Sequence, residues 1–171
     1  MKLLRVDFNA IQKAMEDVSR DKFDYFLDLE SGEVMTISQD ILDNAEHILY
    51  QDGSPSEEYD LPESAEDEVE LAIKIFSDEK RYVRIPERDT SEAYNLMREF
   101  AEEIAELKPH DKLTDALNSA NAFSGFKKTL SGFPAYRGKW YAFNAKAMKK
   151  KIAEWLESVG VKPEQNYYQA V

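Results

Sequence analysis

The chain of 171 residues combines a hydrophobic content of 43% with a formal net charge of -12. This composition is typical of a folded globular protein and argues against a disordered chain. The absence of cysteine excludes disulfides, thiolate metal sites and a cysteine nucleophile, and it fits a reducing compartment. No apolar run approaches the roughly 20 residues of a membrane span, and no signal-peptide core is visible, so we expect a cytoplasmic protein.

Charge is distributed unevenly along the chain. Residues 1–107 hold 11 Lys and Arg against 29 Asp and Glu, a net charge of -18, whereas residues 108–171 hold 11 against 5, a net charge of +6. The length predicts a single domain over residues 1–171, with an acidic N-terminal two-thirds and a basic, aromatic C-terminal third. The two parts either face each other or water, or the basic part attracts an anionic partner.

The N-terminal part begins with a helix and a β-hairpin. Asp7 can cap a first helix. Alternating apolar and polar side chains over residues 23–29 then predict a strand, and residues 34–38 predict its partner. Ser31 and Gly32 between them suit a two-residue turn, because glycine accepts a positive φ. Residues 38–50 fit either a helix or an extended strand.

The middle of the chain predicts a helix, a short strand and two further helices. A loop of acidic residues follows Asp52, and Ser64 can open a helix whose apolar stripe runs from Val69 to Phe76. Residues 82–85 alternate as a strand that Pro86 ends. Thr90 or Ser91 then caps a long helix, and Asp111 caps the next. Together these elements predict an α+β fold, in which a small antiparallel sheet of two or three strands packs with a majority of α-helices.

The C-terminal third predicts two helices joined by irregular chain. Asn121 can cap a helix that Gly132 closes, and a second helix starts near Asn144 and carries Trp155 on its buried stripe. Between them, Pro134 and Gly138 favour irregular backbone or one short helical turn over residues 133–143.

Several short motifs resemble uncharacterised protein family 0158, a group of small bacterial proteins without an assigned function. They are residues 26–34, residues 81–87 followed by Tyr94, Met97 and Phe100, and, in the C-terminal third, residues 122–123, 126–127, 140–143 and 154–156. They follow the family's order along most of the chain. Where the family tends to be basic between its two phenylalanines and acidic after the lysine, this chain has Ser124-Gly125 and Lys128. These departures argue against transferring a role for charge at those positions from the family. Because the family has no assigned function, the resemblance implies a fold and leaves the function open.

No pattern of residues predicts catalysis, a metal site or a cofactor. His47 and His110 are far apart in sequence and show no ligand spacing for zinc. Phosphate-binding loops, dinucleotide fingerprints and nucleophile elbows are absent from the sequence. Asp28 and Glu30, predicted to share a strand face, could pair for acid–base chemistry, although acids beside a hairpin turn are ordinary. We therefore favour a protein that is not an enzyme and binds no cofactor or metal.

One stretch stands out, because bases and aromatic residues alternate in it. Its candidate interaction residues are Lys127, Tyr136, Arg137, Lys139, Trp140 and Tyr141. The simplest interpretation is that the aromatic residues form core and the bases face water. The functional hypothesis is a non-catalytic protein-interaction or regulatory module, since Arg and aromatic residues are common anchors of interfaces. The alternative is a binder of nucleic acid or nucleotide phosphate, with bases on phosphates and rings stacked on nucleobases.

Overall fold

The computed structural model describes residues 1–52 and 65–164, without the side chains of residues 51 and 52. The loop predicted after Asp52 and the cap predicted at Ser64 lie outside the described residues. Within this part of the chain the elements are β1 (Lys2–Leu4), α1 (Phe8–Glu16), β2 (Phe23–Asp28), β3 (Val34–Ser38), α2 (Gln39–His47), a π-helical segment (Ile48–Asp52), α3 (Glu66–Ser77), β4 (Tyr82–Arg84), α4 (Thr90–Glu102), α5 (Leu107–Leu117), α6 (Ala122–Ser131), α7 (Pro134–Ser158) and β5 (Val161–Pro163).

These elements confirm the predicted α+β class. Strands β3, β2 and β4 form an antiparallel sheet in that order, and β1 pairs in parallel with β5 in a separate two-stranded sheet that the sequence did not suggest. The contacts divide the chain into two compact units, residues 1–87 with 152–171, and residues 88–151. The single-domain organisation stays a prediction.

The first unit is built around the hairpin of β2 and β3. Phe23 pairs with Ser38 and Leu27 with Val34, so both predicted strands are confirmed. The sheet and helices α2 and α3 contribute most of one buried core cluster, which consists of Phe26, Ile37, Ile41, Leu42, Ala45, Ala65, Ala72, Ile75 and Tyr82. Residues 38–50, which fit a helix or a strand, form α2 and the π-helical segment, because the Ser38 hydroxyl accepts a hydrogen bond from the Ile41 amide and caps the helix.

The predicted start of α1 is confirmed, whereas those of α4 and α5 are wrong by a few residues. Asp7 caps α1 as predicted, with its carboxylate accepting from the Asn9 and Ala10 amides. In α4, however, the cap is Asp89, which accepts from the Ser91 amide at 2.7 Å. Helix α5 begins at Leu107, so Asp111 lies inside the helix. A proline in the first turn, Pro109, does not stop it, because the amides of a first turn have no intrahelical acceptor.

The second unit consists of α4, α5, α6 and most of α7 around one aromatic core. Its buried residues are Met97, Phe100, Ala101, Ile104, Leu113, Leu117, Phe126, Leu130 and Trp140. The rings meet edge to face: Phe100 and Trp140 have centroids 5.4 Å apart, and Phe126 and Trp140 have centroids 5.1 Å apart. Such pairs add about 0.5–1.5 kcal/mol each beyond the area they bury. This core fixes the orientation of the adjacent turns of α6 and α7.

Candidate interaction surface

The prediction of irregular chain or one short helical turn over residues 133–143 is wrong, because residues 134–143 form the first turns of the long helix α7. Pro134 is the first residue of the helix, where its missing amide costs nothing and its fixed φ favours helical backbone. The Phe133 carbonyl accepts from the Tyr136 and Arg137 amides and begins the hydrogen-bond ladder. Gly138 in the helix interior lowers helix stability by about 1 kcal/mol relative to alanine. Burial of the aromatic side chains around it offsets this loss. The candidate residues from 136 to 141 therefore stand on rigid helix.

Helical periodicity separates the six candidate residues into core and surface. Trp140 is 6% exposed and belongs to the aromatic core, and Tyr136 is half-buried against that core. Arg137, Lys139 and Tyr141 are exposed on α7, and Lys127 is exposed on α6. The structure thus brings five candidates together on two turns of α7, but it assigns Trp140 a packing role. The accessible part, which we call the α7 basic surface, consists of Arg137, Lys139, Tyr141 and Lys146.

The α7 basic surface has two flanks. Successive helical residues are about 100° apart, so Arg137 and Lys139 project from the helix about 160° apart. On one flank, Arg137 Nε donates to the Tyr141 hydroxyl at 3.2 Å, and its guanidinium lies 5.6 Å from the centre of that ring. On the other flank, Lys139 Nζ lies 5.0 Å from the centre of the Tyr136 ring. Both bases therefore rest on aromatic faces.

The electrostatics of this surface do not favour folding. No Asp or Glu occurs between Asp115 and Glu154, whereas eight Lys and Arg do. The first turn of α7 holds no acid, and Arg137 lies in that turn, where the helix dipole disfavours a cation by about 0.3–1 kcal/mol. Some charge is balanced locally, since Lys151 pairs with Glu92 and the Glu106 carboxylate beside the half-buried Tyr136 adds to burial in raising the pKa of that hydroxyl. The contacts of Arg137 and Lys139 with tyrosine rings of the same helix are of similar size and opposite sign to the dipole effect, about 0.5–1 kcal/mol each. The two bases therefore contribute little net stability to α7.

Asp28 and Glu30, the alternative acid–base pair, form a structural clamp. Strand β2 ends at Asp28, so the two residues do not share a strand face as predicted. Asp28 is 5% exposed, and its carboxylate accepts from Arg81 Nε at 3.0 Å, Arg81 Nη2 at 2.9 Å and the Glu30 amide at 2.8 Å. The Arg81 hydrogen bonds outweigh burial and lower the Asp28 pKa to about 2. A carboxylate so occupied is ionised at neutral pH and offers no proton, and Glu30 binds the same guanidinium at 3.0 Å.

The hairpin turn belongs to the same clamp and is longer than the predicted two residues. The Gly32 amide donates to the Asp28 carbonyl at 2.8 Å, and the Asp28 amide donates to the Glu33 carbonyl at 2.9 Å. Gly32 has φ +80°, and a β-carbon placed on it would lie 2.0 Å from the Arg5 carbonyl oxygen. The predicted need for glycine is therefore correct, for two reasons: the backbone conformation and the close approach of Arg5.

Comparison with known proteins gives a family without an assigned function. The model of the Uncharacterised protein family (UPF0158) matches residues 56–166. The chain belongs to the UPF0158 family. A UPF0158 protein of Pseudomonas aeruginosa is 24% identical over 163 residues, which cover 95% of this chain and 88% of that protein. No solved structure matches the chain significantly.

The motifs that carry the UPF0158 resemblance contribute several large apolar residues to the core. Phe126, Trp140 and Phe100 form the buried aromatic cluster, and Leu156 is completely buried near the end of α7. Trp155, predicted to be substantially buried, is only half-buried, because Ile152 and Leu156 occupy the buried side of these turns. The buried residues of these motifs thus serve packing. Arg137 and Lys139 lie between the motifs, whereas Lys127 lies within one.

Within residues 1–52 and 65–164, no three His, Asp or Glu side chains are placed to hold a metal ion. His110 Nδ1 lies 2.9 Å from the Ala101 carbonyl oxygen, and His47 lies in the last turn of α2. None of the helices in the described part of the chain combines the length and hydropathy needed to cross a bilayer.

Proposed function

We propose that this UPF0158 protein is a non-catalytic interaction module that binds another protein through the α7 basic surface. The observation that carries the proposal is the pair of exposed bases, Arg137 and Lys139, on helix that a buried aromatic core holds rigid. Because these charges contribute little net stability to their own helix, a partner gives them a role. Arg and Tyr side chains, which Arg137 and Tyr141 supply, are frequent anchors of protein interfaces. Lys127 on α6 is a further candidate contact. The lack of cysteine fits a reducing compartment, so we place this module in the cytoplasm.

Affinity capture with a charge-reversal variant tests the proposal. Arg137→Glu with Lys139→Glu should retain the fold and lose the captured protein. The matched control is Lys13→Glu with Lys22→Glu, which makes the same change in net charge at exposed positions of the first unit. Equal capture by the wild type and the double reversal, with both folded, would refute the proposal.

A nucleic-acid partner is the second candidate, because the eight bases between Asp115 and Glu154 could contact phosphates. The net charge of -12 opposes it, since a negative protein repels a long polyanion. Nuclease treatment and salt separate the two candidates. A nucleic-acid complex would be lost after nuclease treatment, and each phosphate contact removed would flatten the log–log salt slope by about 0.7–0.9. Capture of a protein that resists nuclease favours the first candidate.

A further inference from the structure

We infer that the segment bound by the α7 basic surface is an acidic α-helix of the partner protein, lying along α7. This inference rests on the proposed function and adds the chemistry and the shape of the partner. It starts from charge. Arg137 on one flank, and Lys139 and Lys146 on the other, are exposed cations in a stretch of the chain that contains no acid. A complementary partner therefore carries carboxylates along both of its edges.

The shape of α7 between the flanks matches a helical partner. Lys139 and Lys146 are two turns apart, about 10 Å along the axis, so carboxylates spaced seven residues apart on a second helix follow the same repeat. Between the two flanks the side chains are small, with Ala142 and Ala145 exposed next to Gly138. Apart from its chain neighbours and the backbone of its own helix, a β-carbon added to Gly138 would meet no atom within 4 Å. The backbone of a second helix can therefore approach closely here, which brings its flanking carboxylates within reach of the bases.

The same observations favour a short acidic helix over a nucleic acid. Arg137 and Lys146 lie nine residues apart, about 14 Å along the helix. A partner helix of three or four turns covers this length and does not extend far beyond it. A duplex continues past both ends, and a chain whose net charge is -12 repels it overall. Exposed Tyr141, at 56%, offers an apolar ring beside Arg137 on which aliphatic side chains of a helix can pack.

Fluorescence anisotropy with defined probes tests this inference on the full chain. The first probe is a labelled 21-residue helical peptide with glutamates on both sides of an alanine stripe. The second has the same composition in scrambled order, and the third is a labelled 12-base-pair DNA duplex. We expect the ordered peptide to bind at least tenfold more tightly than the scrambled peptide and than the duplex. Equal affinity for the two peptides, or tighter binding of the duplex, would overturn the inference.

Neutral and charged variants show whether binding needs close approach. Ala142→Gln with Ala145→Gln adds bulk without charge at exposed helical positions, and we expect at least a tenfold loss of affinity for the ordered peptide. Lys13→Glu with Lys22→Glu should leave the affinity unchanged. Unchanged affinity of the glutamine variant, with an unchanged helical circular dichroism spectrum, would overturn the inference. Should the peptide fail while cellular capture remains sensitive to Arg137→Glu with Lys139→Glu, the proposed function stands and only the helical partner is rejected.

Discussion

Charge has opposite roles in the β2–β3 hairpin and on the α7 basic surface. Beside the hairpin, carboxylates and guanidinium groups pair: Asp24 binds Arg20 at 2.7 Å and Arg84 at 2.6 Å, and Asp28 binds Arg81. On α7, Arg137 and Lys139 lie against tyrosine rings. Balanced charges in the hairpin hold the fold together. We propose that the excess of positive charge on the α7 basic surface serves a partner of the opposite sign.

Beside the hairpin, the charged group of Arg20 is held by hydrogen bonds to distant parts of the backbone. Arg20 is buried and also donates to the Ala14 carbonyl at 2.8 Å and to the Ile85 carbonyl. It thereby joins the segment before β2 to the end of β4. Buried ionic groups of this kind are costly to break, since removing one partner leaves the other charged and desolvated. Substitutions of charged residues beside the hairpin should therefore lower stability, whereas those on the α7 basic surface should affect binding.

The largest effect on stability is expected in the core beneath the α7 basic surface. Trp140→Ala removes a ring that contacts Phe100 and Phe126, and we expect a loss of about 3–5 kcal/mol in the free energy of unfolding, measured by urea denaturation. Trp155→Ala is the comparison, because Trp155 is only half-buried and should cost less. A larger loss at Trp155 than at Trp140 would contradict the assignment of the aromatic core.

Two glycines give the next contrast. Gly32→Ala should lower the free energy of unfolding by at least about 2 kcal/mol, since it has a positive φ and faces the Arg5 carbonyl. Gly138→Ala should raise the free energy by about 1 kcal/mol, because Gly138 is inside a helix and has open space around it. Thermal melting of both variants checks the pair, and a stabilised Gly32→Ala variant would show that the turn is not constrained as described.

The Asp28–Arg81 clamp predicts how stability depends on pH. The folded-state pKa of Asp28, about 2, lies below the ordinary aspartate value of 3.8. The ionised form therefore stabilises the fold above about pH 4, and this contribution, about 2 kcal/mol, is lost as pH falls from about 5 to below 2. Urea denaturation at several pH values should show Asp28→Asn less stable than wild type at pH 7, with the difference shrinking at low pH. A difference that stays constant with pH would mean that the carboxylate charge does not act through Arg81.

The sequence predicted the hairpin strands, the Asp7 cap and the α+β class, because alternation and capping are local signals. It did not predict that α7 begins at Pro134, although proline at a first helical position is common. Whether Gly138 ends a helix or is tolerated within one depends on the burial of Trp140 and Phe126, which come together only in the fold. For the same reason Trp140 was placed on the candidate surface, whereas it lies in the core. The exposure of Arg137, Lys139 and Tyr141, by contrast, follows from helical periodicity once these residues are assigned to a helix.

The smallest effect on stability is expected from the charges of the α7 basic surface. Arg137→Glu with Lys139→Glu should change the free energy of unfolding by less than about 1 kcal/mol, because the gain from acids near a helix N-terminus and the loss of the contacts with Tyr141 and Tyr136 are of similar size. Chemical denaturation beside the Lys13→Glu with Lys22→Glu control measures this. Destabilisation by more than about 2 kcal/mol would show that these bases support the fold.

The most direct test of the α7 basic surface is site-specific photo-crosslinking in cells. A photoreactive phenylalanine derivative replaces Tyr141, which is 56% exposed, or Phe23, which is 40% exposed on β2 and serves as the matched control. We predict that position 141 crosslinks to a protein, that the product survives nuclease treatment, and that position 23 gives no such product. Crosslinking from position 23 alone, or a product at position 141 that nuclease removes, would contradict a protein partner on α7.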